Sequence, residues 1–462
     1  MKRFAFAIFF LLMLVPVMSF GATTAGIKPV GTTATVVSSP GSSQTNASRR
    51  SVVSPPRSGT IRMSPTAARG AASGKTAGAG ATSDSRNAAA QPSESNAVAG
   101  PGQAFDTDAF YITLFSISGT FSFQMSAAGN FEVDWGDGSQ FQAIARSGAS
   151  LETYSHTYAR SGNYIVKLTG KATGYSSDAL TAAITFANST NKDRMAAING
   201  DLGAVFPMLR APANGAFGTP RFTMTFKDCI RLTSIPSELF ASLGGAPASN
   251  MFRDTFNGCT GLTGQIPADL FSGISGAPAS GMFASTFAGC SKLSGAIPGY
   301  LFSGIKGAAA QDMFNSTFAG CGKLSGAIPS DLFSEISGAP ASNMFQNTFA
   351  NCGDLTGAIP GDLFSGIKGA PAESMFRGTF KGCVKLASIG DGLFDGISAG
   401  TPAGNMFRDT FNGCAGLTGP SATSGEWYLY EKWLSVGIGY VGGCYADAVN
   451  LSDYASIPAS WK

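Results

Sequence analysis

Eight cysteines are the residues of this chain whose chemistry depends most on spacing, and that spacing is nearly constant. They recur every 30 or 31 residues, at Cys229, Cys259, Cys290, Cys321, Cys352, Cys383, Cys414 and Cys444. The spacing contains no CxxC pair and therefore does not fit a zinc site. An even number of cysteines allows disulfides, but parallel side chains in one row disfavour the disulfide dihedral angle. We favour a structural role, as small buried residues.

Other residues keep the register of the cysteines, which indicates a repeat protein. Phenylalanine lies three and seven residues before each of the first seven cysteines, and leucine lies three residues after. Units of this length stack, because one unit cannot bury its own apolar face. The cysteines would then form one interior ladder. Within the unit at 249–274, we expect a short helix carrying Phe252 and Phe256, an extended segment ended by Pro267, and a second helical turn.

The units share the pattern Met-Phe-x-x-Thr-Phe-x-Gly-Cys-x-x-Leu-Thr-Gly-x-Ile-Pro-x-x-Leu-Phe, as at 251–271. This pattern resembles the BspA-type leucine-rich-repeat surface proteins, although the period of 31 is longer than that family's usual unit. The resemblance implies an α/β leucine-rich-repeat solenoid over residues 188–462, on a bacterial surface or secreted protein and often on an adhesin. Residues 188–221 and the segment from Glu426 onward depart from the pattern, as capping units do.

A different pattern occupies residues 105–187. Apolar residues alternate with polar ones around Phe121 and Val133, which predicts a small antiparallel β-sandwich. The motif Val-Asp-Trp-Gly-Asp-Gly at 133–138 precedes His-x-Tyr-x-x-x-Gly-x-Tyr-x-Val-x-Leu at 156–168. The two linked motifs resemble the PKD (polycystic kidney disease) domain. The resemblance implies an immunoglobulin-like β-sandwich that acts as a spacer or binds protein and carbohydrate.

Asp134 and Asp137 lie in the predicted turn of this motif. Their carboxylates either accept turn hydrogen bonds or contribute to a calcium site, and two carboxylates fall short of the six oxygens that calcium takes. The single histidine, His156, belongs to the same PKD-like motif, so none remains for a Ser-His-Asp, Cys-His or HExxH site. Catalysis by a pair of carboxylates needs only Asp and Glu, so the lack of a further histidine does not formally exclude it. Uninterrupted repeats offer no catalytic core, however, so we expect no enzyme and no cofactor.

The N-terminal quarter of the chain indicates export. Residues 1–21 combine a basic start, an apolar core and small residues at the end, which predicts a cleaved signal peptide rather than an uncleaved anchor. Residues 22–104 contain no Leu, Phe, Tyr, Trp or Cys, so we expect a disordered linker. Eight basic and two acidic residues give the linker a charge of 8 − 2 = +6. It either contacts an anionic envelope or serves as a solubilising tether.

The surface of the repeats holds the candidate binding residues. Two residues after successive cysteines, four of seven positions are basic, at Arg231, Lys292, Lys323 and Lys385. This row either binds an acidic glycan or protein, or keeps a loop soluble. Further candidates are the positions Arg253, Asp254, Arg408 and Asp409, which we expect to be exposed.

We therefore expect a secreted or cell-surface protein, or alternatively a periplasmic one, that recognises protein or carbohydrate. Residues 105–462 carry 21 basic and 26 acidic residues, a charge of 21 − 26 = −5, which argues against nucleic acid as a partner. After signal cleavage we expect no transmembrane segment. The alternative is a purely structural envelope or matrix spacer without a specific ligand.

Overall fold

The computed structural model describes residues 105–210, 217–398 and 400–462. The predicted signal peptide, 1–21, and the predicted linker, 22–104, lie outside the described residues. Within them the chain is mostly strands and irregular backbone with few helices, so the expectation of a β-rich fold is confirmed. None of the described helices is long and apolar enough to cross a membrane.

Six antiparallel strands form one sheet at the N-terminal end of the described chain. They are β1 Phe110–Met125, β2 Ala127–Asp134, β3 Gln142–Arg146, β4 Glu152–Tyr175, β5 Ile184–Thr185 and β6 Met195–Gly200. The order is β3-β2-β4-β1-β5, with β6 also paired to β1. The alternating residues around Phe121 and Val133 fall in β1 and β2, as predicted.

The expected division into two facing sheets is not observed, because two long strands join all pairings into one sheet. β1 pairs with two parts of β4: Phe110–Leu114 with 164–168, and Gly119–Met125 with 152–158. Register shifts between Leu114 and Gly119 separate the two parts. Such bulges bend a strand, so one strand can serve where a sandwich would use two.

The remaining elements are short. The strands are β7 Gly307–Ala308, β8 Ile336–Ser337, β9 Gly357–Ile359, β10 Leu386–Ile389, β11 Thr423–Ser424 and β12 Trp427–Tyr428. The α-helices are α1 Leu202–Val205, α2 Leu429–Lys432 and α3 Ile438–Val441, and the 3₁₀ turns are Lys192–Arg194, Tyr454–Ser456 and Ala459–Trp461. β7 pairs with β8, and β9 with β10, in parallel, each pair joining one repeat unit to the next.

The helix predicted at Phe252 and Phe256 is wrong: residues 250–258 form a run of turns. Every fourth residue, at Asn250, Asp254 and Gly258, has a positive φ of 58°, 55° and 75°. A left-handed residue interrupts an α-helix, and Asn, Asp and Gly are the residues that tolerate this conformation best.

The same geometry recurs in the following units, and we call these stretches the turn segments. They span 250–258, 281–289, 312–320, 343–351, 374–382 and 405–413, and in each the first, fifth and ninth residues have positive φ.

Backbone hydrogen bonds alternate along a turn segment between the next unit and the same turn. Phe252 N–H donates to Met282 O and Phe256 N–H to Thr286 O, both at 2.8 Å. Between them, Thr255 N–H donates to Phe252 O at 3.3 Å, within the turn. Consecutive units are therefore stacked in register by main-chain bonds.

The phenylalanines of the repeat form parallel columns inside the stack. One column comprises Phe226, Phe256, Phe287, Phe318, Phe349, Phe380 and Phe411, with neighbouring ring centroids 5.4 to 5.7 Å apart. All seven side chains are fully buried. Aromatic pairs at such distances contribute about 0.5–1.5 kcal/mol beyond their buried area.

The N-terminal sheet closes one end of this column. Phe186 stacks on Phe226 at 5.7 Å, and its N–H donates to Thr225 O at 2.8 Å, the bond that Phe226 makes to Thr255 in the next unit. Residues around Phe186 thus take the place of a preceding unit. The hydrophobic core is continuous across the predicted boundary between 187 and 188.

A substitution in a turn segment tests the left-handed conformation. Asn347 has a φ of 53°, so Asn347→Ala should lower the free energy of unfolding by about 1–2 kcal/mol. Asn347→Gly should change it by less than about 0.5 kcal/mol. Urea unfolding measures both, with Gln346→Ala, at a position without positive φ, as the control. Equal losses for the alanine and glycine variants would contradict the assignment.

Candidate functional site

Six of the eight cysteine side chains donate hydrogen bonds to phenylalanine carbonyls inside the stack. Cys290 Sγ lies 3.1 Å from Phe256 O, Cys321 Sγ lies 3.0 Å from Phe287 O, and Cys352 Sγ lies 3.1 Å from Phe318 O. Each acceptor carbonyl belongs to the preceding unit and also accepts the N–H of that unit's own cysteine. The thiol thus supplies a second donor to a buried carbonyl, which has two lone pairs.

A row of threonines supplies a second donor to the carbonyl of the other phenylalanine of the repeat, which lies seven residues before the cysteine. Thr286 Oγ1 lies 2.9 Å from both Phe252 O and Phe283 O. Thr317 and Thr348 repeat the bond to the preceding unit at 3.0 Å. Buried carbonyls that lose water need such partners. The invariant Thr-Phe-x-x-Cys order in the sequence is the signal for these two donor rows; sequence reasoning assigned the threonines no role.

All eight cysteines are buried and free. Burial raises the pKa of the Cys290 and Cys352 thiols to about 12. A nucleophilic cysteine needs the opposite, a lowered pKa and access to solvent. Their environment therefore opposes thiolate chemistry.

Cys444 does not continue the cysteine row, contrary to expectation. Phe411 N–H donates to Cys444 O, as Phe380 N–H donates to Thr410 O, so Cys444 occupies the threonine place. Tyr445 stacks on Phe411 at 5.4 Å and takes the phenylalanine place. The buried Ala448 follows where a cysteine would stand. The 30-residue step from Cys414 conceals an insertion, and Tyr-x-x-Ala-x-x-Leu at 445–451 was the pattern that could have revealed it.

The residues of the predicted basic row hold equivalent positions in successive units, but their positive charge is partly neutralised. Asp354 occupies the same position in its unit and lies 3.1 Å from Lys323 Nζ and 2.6 Å from Lys385 Nζ. Hydrogen bonds from Lys385 and Lys323 lower the pKa of the Asp354 carboxyl. The Arg231 guanidinium lies over the ring of Phe115, 5.9 Å from its centroid. Lys292 is exposed and makes no ion pair within the described residues.

The second group of candidates is less exposed than predicted. Asp254 and Asp409 are left-handed residues whose carboxylates accept hydrogen bonds from Asn257 and Asn412, at 2.6 and 2.9 Å. Each lies beside its neighbouring arginine: Arg253 is 3.5 Å from Asp254, and Arg408 is 3.7 Å from Asp409. The aspartates accept hydrogen bonds within the turn, and of the four residues only Arg408 is exposed, while the other three are half-buried.

Sequence reasoning missed another row, two residues after the proline of successive units, in which every residue except the half-buried Asp331 is exposed. It contains Glu238, Asp269, Tyr300, Asp331 and Asp362. Tyr300 is 73% exposed and replaces an acidic residue at that position. The proline register was the available signal. The stack thus carries one mainly basic and one mainly acidic row.

Asp134 and Asp137 make turn bonds in the N-terminal sheet. Asp134 accepts Gly136 N–H at 2.8 Å, and Asp137 accepts Ser139 N–H at 3.0 Å. Asp137 also lies 2.7 Å from His156 Nε2, and the His156 ring stacks on Trp135 at 5.3 Å. The bonds from Gly136 and Ser139 match the interpretation that Asp134 and Asp137 accept turn hydrogen bonds. No group of three or more potential metal ligands is found within the described ranges.

Comparisons with known proteins add no functional assignment, so any assignment has to come from the features described above. No family model matches the chain, and neither the curated proteins nor the solved structures contain a match.

A pair of threonine substitutions tests the register at Cys444. Because Cys444 occupies a threonine place, Cys444→Thr should change the free energy of unfolding by less than about 1 kcal/mol. Cys352→Thr puts a branched polar residue into a cysteine place and should cost about 1–3 kcal/mol. Urea unfolding of both variants provides the comparison. A larger loss at Cys444 would place that residue in the cysteine row instead.

Thiol reactivity tests the burial of the cysteines. In the native chain at about pH 8, where a free thiol with a pKa of about 8.5 is partly ionised, Ellman's reagent should not react. After unfolding in guanidinium it should titrate eight thiols. Burial raises the thiol pKa values of the folded chain above those of the unfolded chain. The buried thiols therefore contribute fully to the free energy of unfolding below about pH 8.5, and their contribution declines as the pH rises towards 12. Rapid native labelling would contradict the assignment.

Proposed function

We propose that this chain is an exported recognition protein whose stacked repeats bind a protein or glycan ligand. The finer fold that we propose is a leucine-rich-repeat-type solenoid that begins on a PKD-like sheet. One observation carries the proposal: buried positions are constant between units, whereas exposed positions in the same register vary. The cysteine and phenylalanine places hold one residue type in seven units, while the place two residues after the cysteine holds Arg, Gly, Lys, Lys, Asp, Lys and Gly.

The physical basis of recognition would be the fixed spacing of the rows. Main-chain bonds between units hold successive exposed side chains in register, and stacked extended segments lie about 4.8 Å apart. A ligand that spans several units can then contact several side chains at once without ordering them first, which lowers the entropy cost of binding. An acidic glycan or acidic protein segment suits the row that contains Lys292, Lys323 and Lys385.

Opposite charge changes in that row give a sharp test. Replacing Lys292, Lys323 and Lys385 with Gln should reduce retention of the full chain on heparin. Asp354→Asn should increase it, because that carboxylate lies beside both Lys323 and Lys385. Salt-gradient elution measures retention, since contacts with a polyanion weaken as salt rises.

The matched control removes three lysines from other positions, Lys306, Lys368 and Lys381. It should alter retention less than the row variant does, although the change in net charge is equal. Unchanged retention in the row variant would remove polyanions as the ligand class. A screen of the full chain against glycan arrays and matrix proteins that finds no saturable binding would favour the alternative of a structural spacer.

A further inference from the structure

A groove runs along the junction between the N-terminal sheet and the first repeat unit. It has a volume of about 360 Å³ and is lined by residues from β1, from the loop before β4, from the segment 180–192 that contains β5, and from the segment 223–228. This volume is in the range of small-ligand sites, which begin at about 300 Å³. The groove is separate from the exposed rows of the stack.

Apolar side chains on its walls are left in contact with solvent. Leu151 and Leu180 are 48% and 55% exposed, although both belong to segments fastened to the folded body. The loop carrying Leu180 is held by its N–H bond to Asp178 and by the Arg221 bond to Ser176 O, both 3.1 Å long. Leu151 follows Ser150, whose carbonyl accepts a hydrogen bond from the Arg146 guanidinium. Both leucines are therefore presented by loops that are bonded to neighbouring segments.

Met224 adds an apolar side chain at an unusual backbone position. It has a φ of 55°, in the place where later units have Asp254, Ser285, Ser316 and Asn347. A bulky residue with positive φ is strained, and such strain concentrates at functional sites. The first unit thus departs from the small polar pattern where its side chain lines the groove.

The charge at the groove favours an anionic ligand. Lys192 and Lys227 line it together with one acidic residue, Asp228, and Lys192 lies 3.6 Å from that carboxylate. Lys227 has no ion-pair partner among the described residues. A ligand that places an apolar body against the leucines and an anion beside Lys227 would complement both features.

We propose that this groove binds a ligand with an apolar chain and a single carboxylate. A fatty acid and the C-terminal leucine of a peptide both have this combination of an apolar chain and one carboxylate. Leu151, Leu180 and Met224 would contact the apolar chain, and Lys227 would pair with the carboxylate. The proposal does not depend on the exposed rows, so either can fail without the other.

Isothermal titration of the full chain with octanoate tests the site, with octan-1-ol as the uncharged match. Octanoate should bind saturably and octanol at least about tenfold more weakly. Leu180→Ser and Lys227→Gln should each weaken octanoate by about tenfold. Leu434→Ser and Lys368→Gln, at exposed residues outside the groove and outside the basic row, should leave the dissociation constant unchanged.

Two further measurements complete the test. Acetyl-Ala-Leu with a free carboxylate, compared with its amide, separates a peptide ligand from a fatty acid. Met224→Asn should raise the melting temperature and weaken binding, an opposite pair of effects that general destabilisation does not produce. Absence of saturable binding by both octanoate and the dipeptide, or equal losses in the Leu434→Ser control, would overturn the proposal.

Discussion

The structure depends on how buried main-chain carbonyls find their donors. In the first five turn segments the phenylalanine carbonyls, such as Phe283 O and Phe287 O, accept one bond from their own turn and a second from a side chain of the next unit. Thr317 Oγ1 and Cys321 Sγ supply the second bond at 3.0 Å. A buried carbonyl is costly when it lacks a partner. Because this second donor comes from the neighbouring unit, these units are not complete alone.

This arrangement separates the interior of the repeats from their surface. Threonine and cysteine are small enough to leave room for the phenylalanine columns, and burial raises the pKa of thiols such as Cys290, which opposes thiolate chemistry. Variation is then free to occur on the outside, where Lys323, Asp354 and Lys385 pair along one row. The N-terminal sheet supplies the first layer through Phe186, and the junction that results contains the groove beside Leu180 and Met224.

Sequence patterns predicted the stacking of the units and the burial of the cysteines, because residue spacing sets which positions of successive units coincide. They failed where backbone conformation competes with spacing. Phe252 and Phe256 have helical spacing, yet Asn250, Asp254 and Gly258 are left-handed and turn the chain every fourth residue. The period-four series of Asn, Asp, Ser and Gly was visible in the sequence, but apolar periodicity does not report φ.

Two other errors have distinct physical causes. Alternation predicted strands at Phe121 and Val133 but not their pairing, because pairing depends on the bulges near Ile117 that let β1 and β4 bend. Equal spacing placed Cys444 in the wrong row, because spacing alone cannot show an insertion. Among the candidate binding residues, the charge of Lys323 and Lys385 was predicted, whereas their neutralisation by Asp354 required the stacked geometry.

The infrared S–H stretching band of the native chain tests the central claim, that the cysteines are structural donors. Hydrogen bonding to a carbonyl weakens the S–H bond, so the six thiols that donate to phenylalanine carbonyls should absorb at lower frequency in the native chain than after unfolding in guanidinium. Its intensity should correspond to eight thiols. A native band at the frequency of a thiol dissolved in a hydrocarbon would show that the thiols do not donate, and loss of the band would show that the cysteines are oxidised.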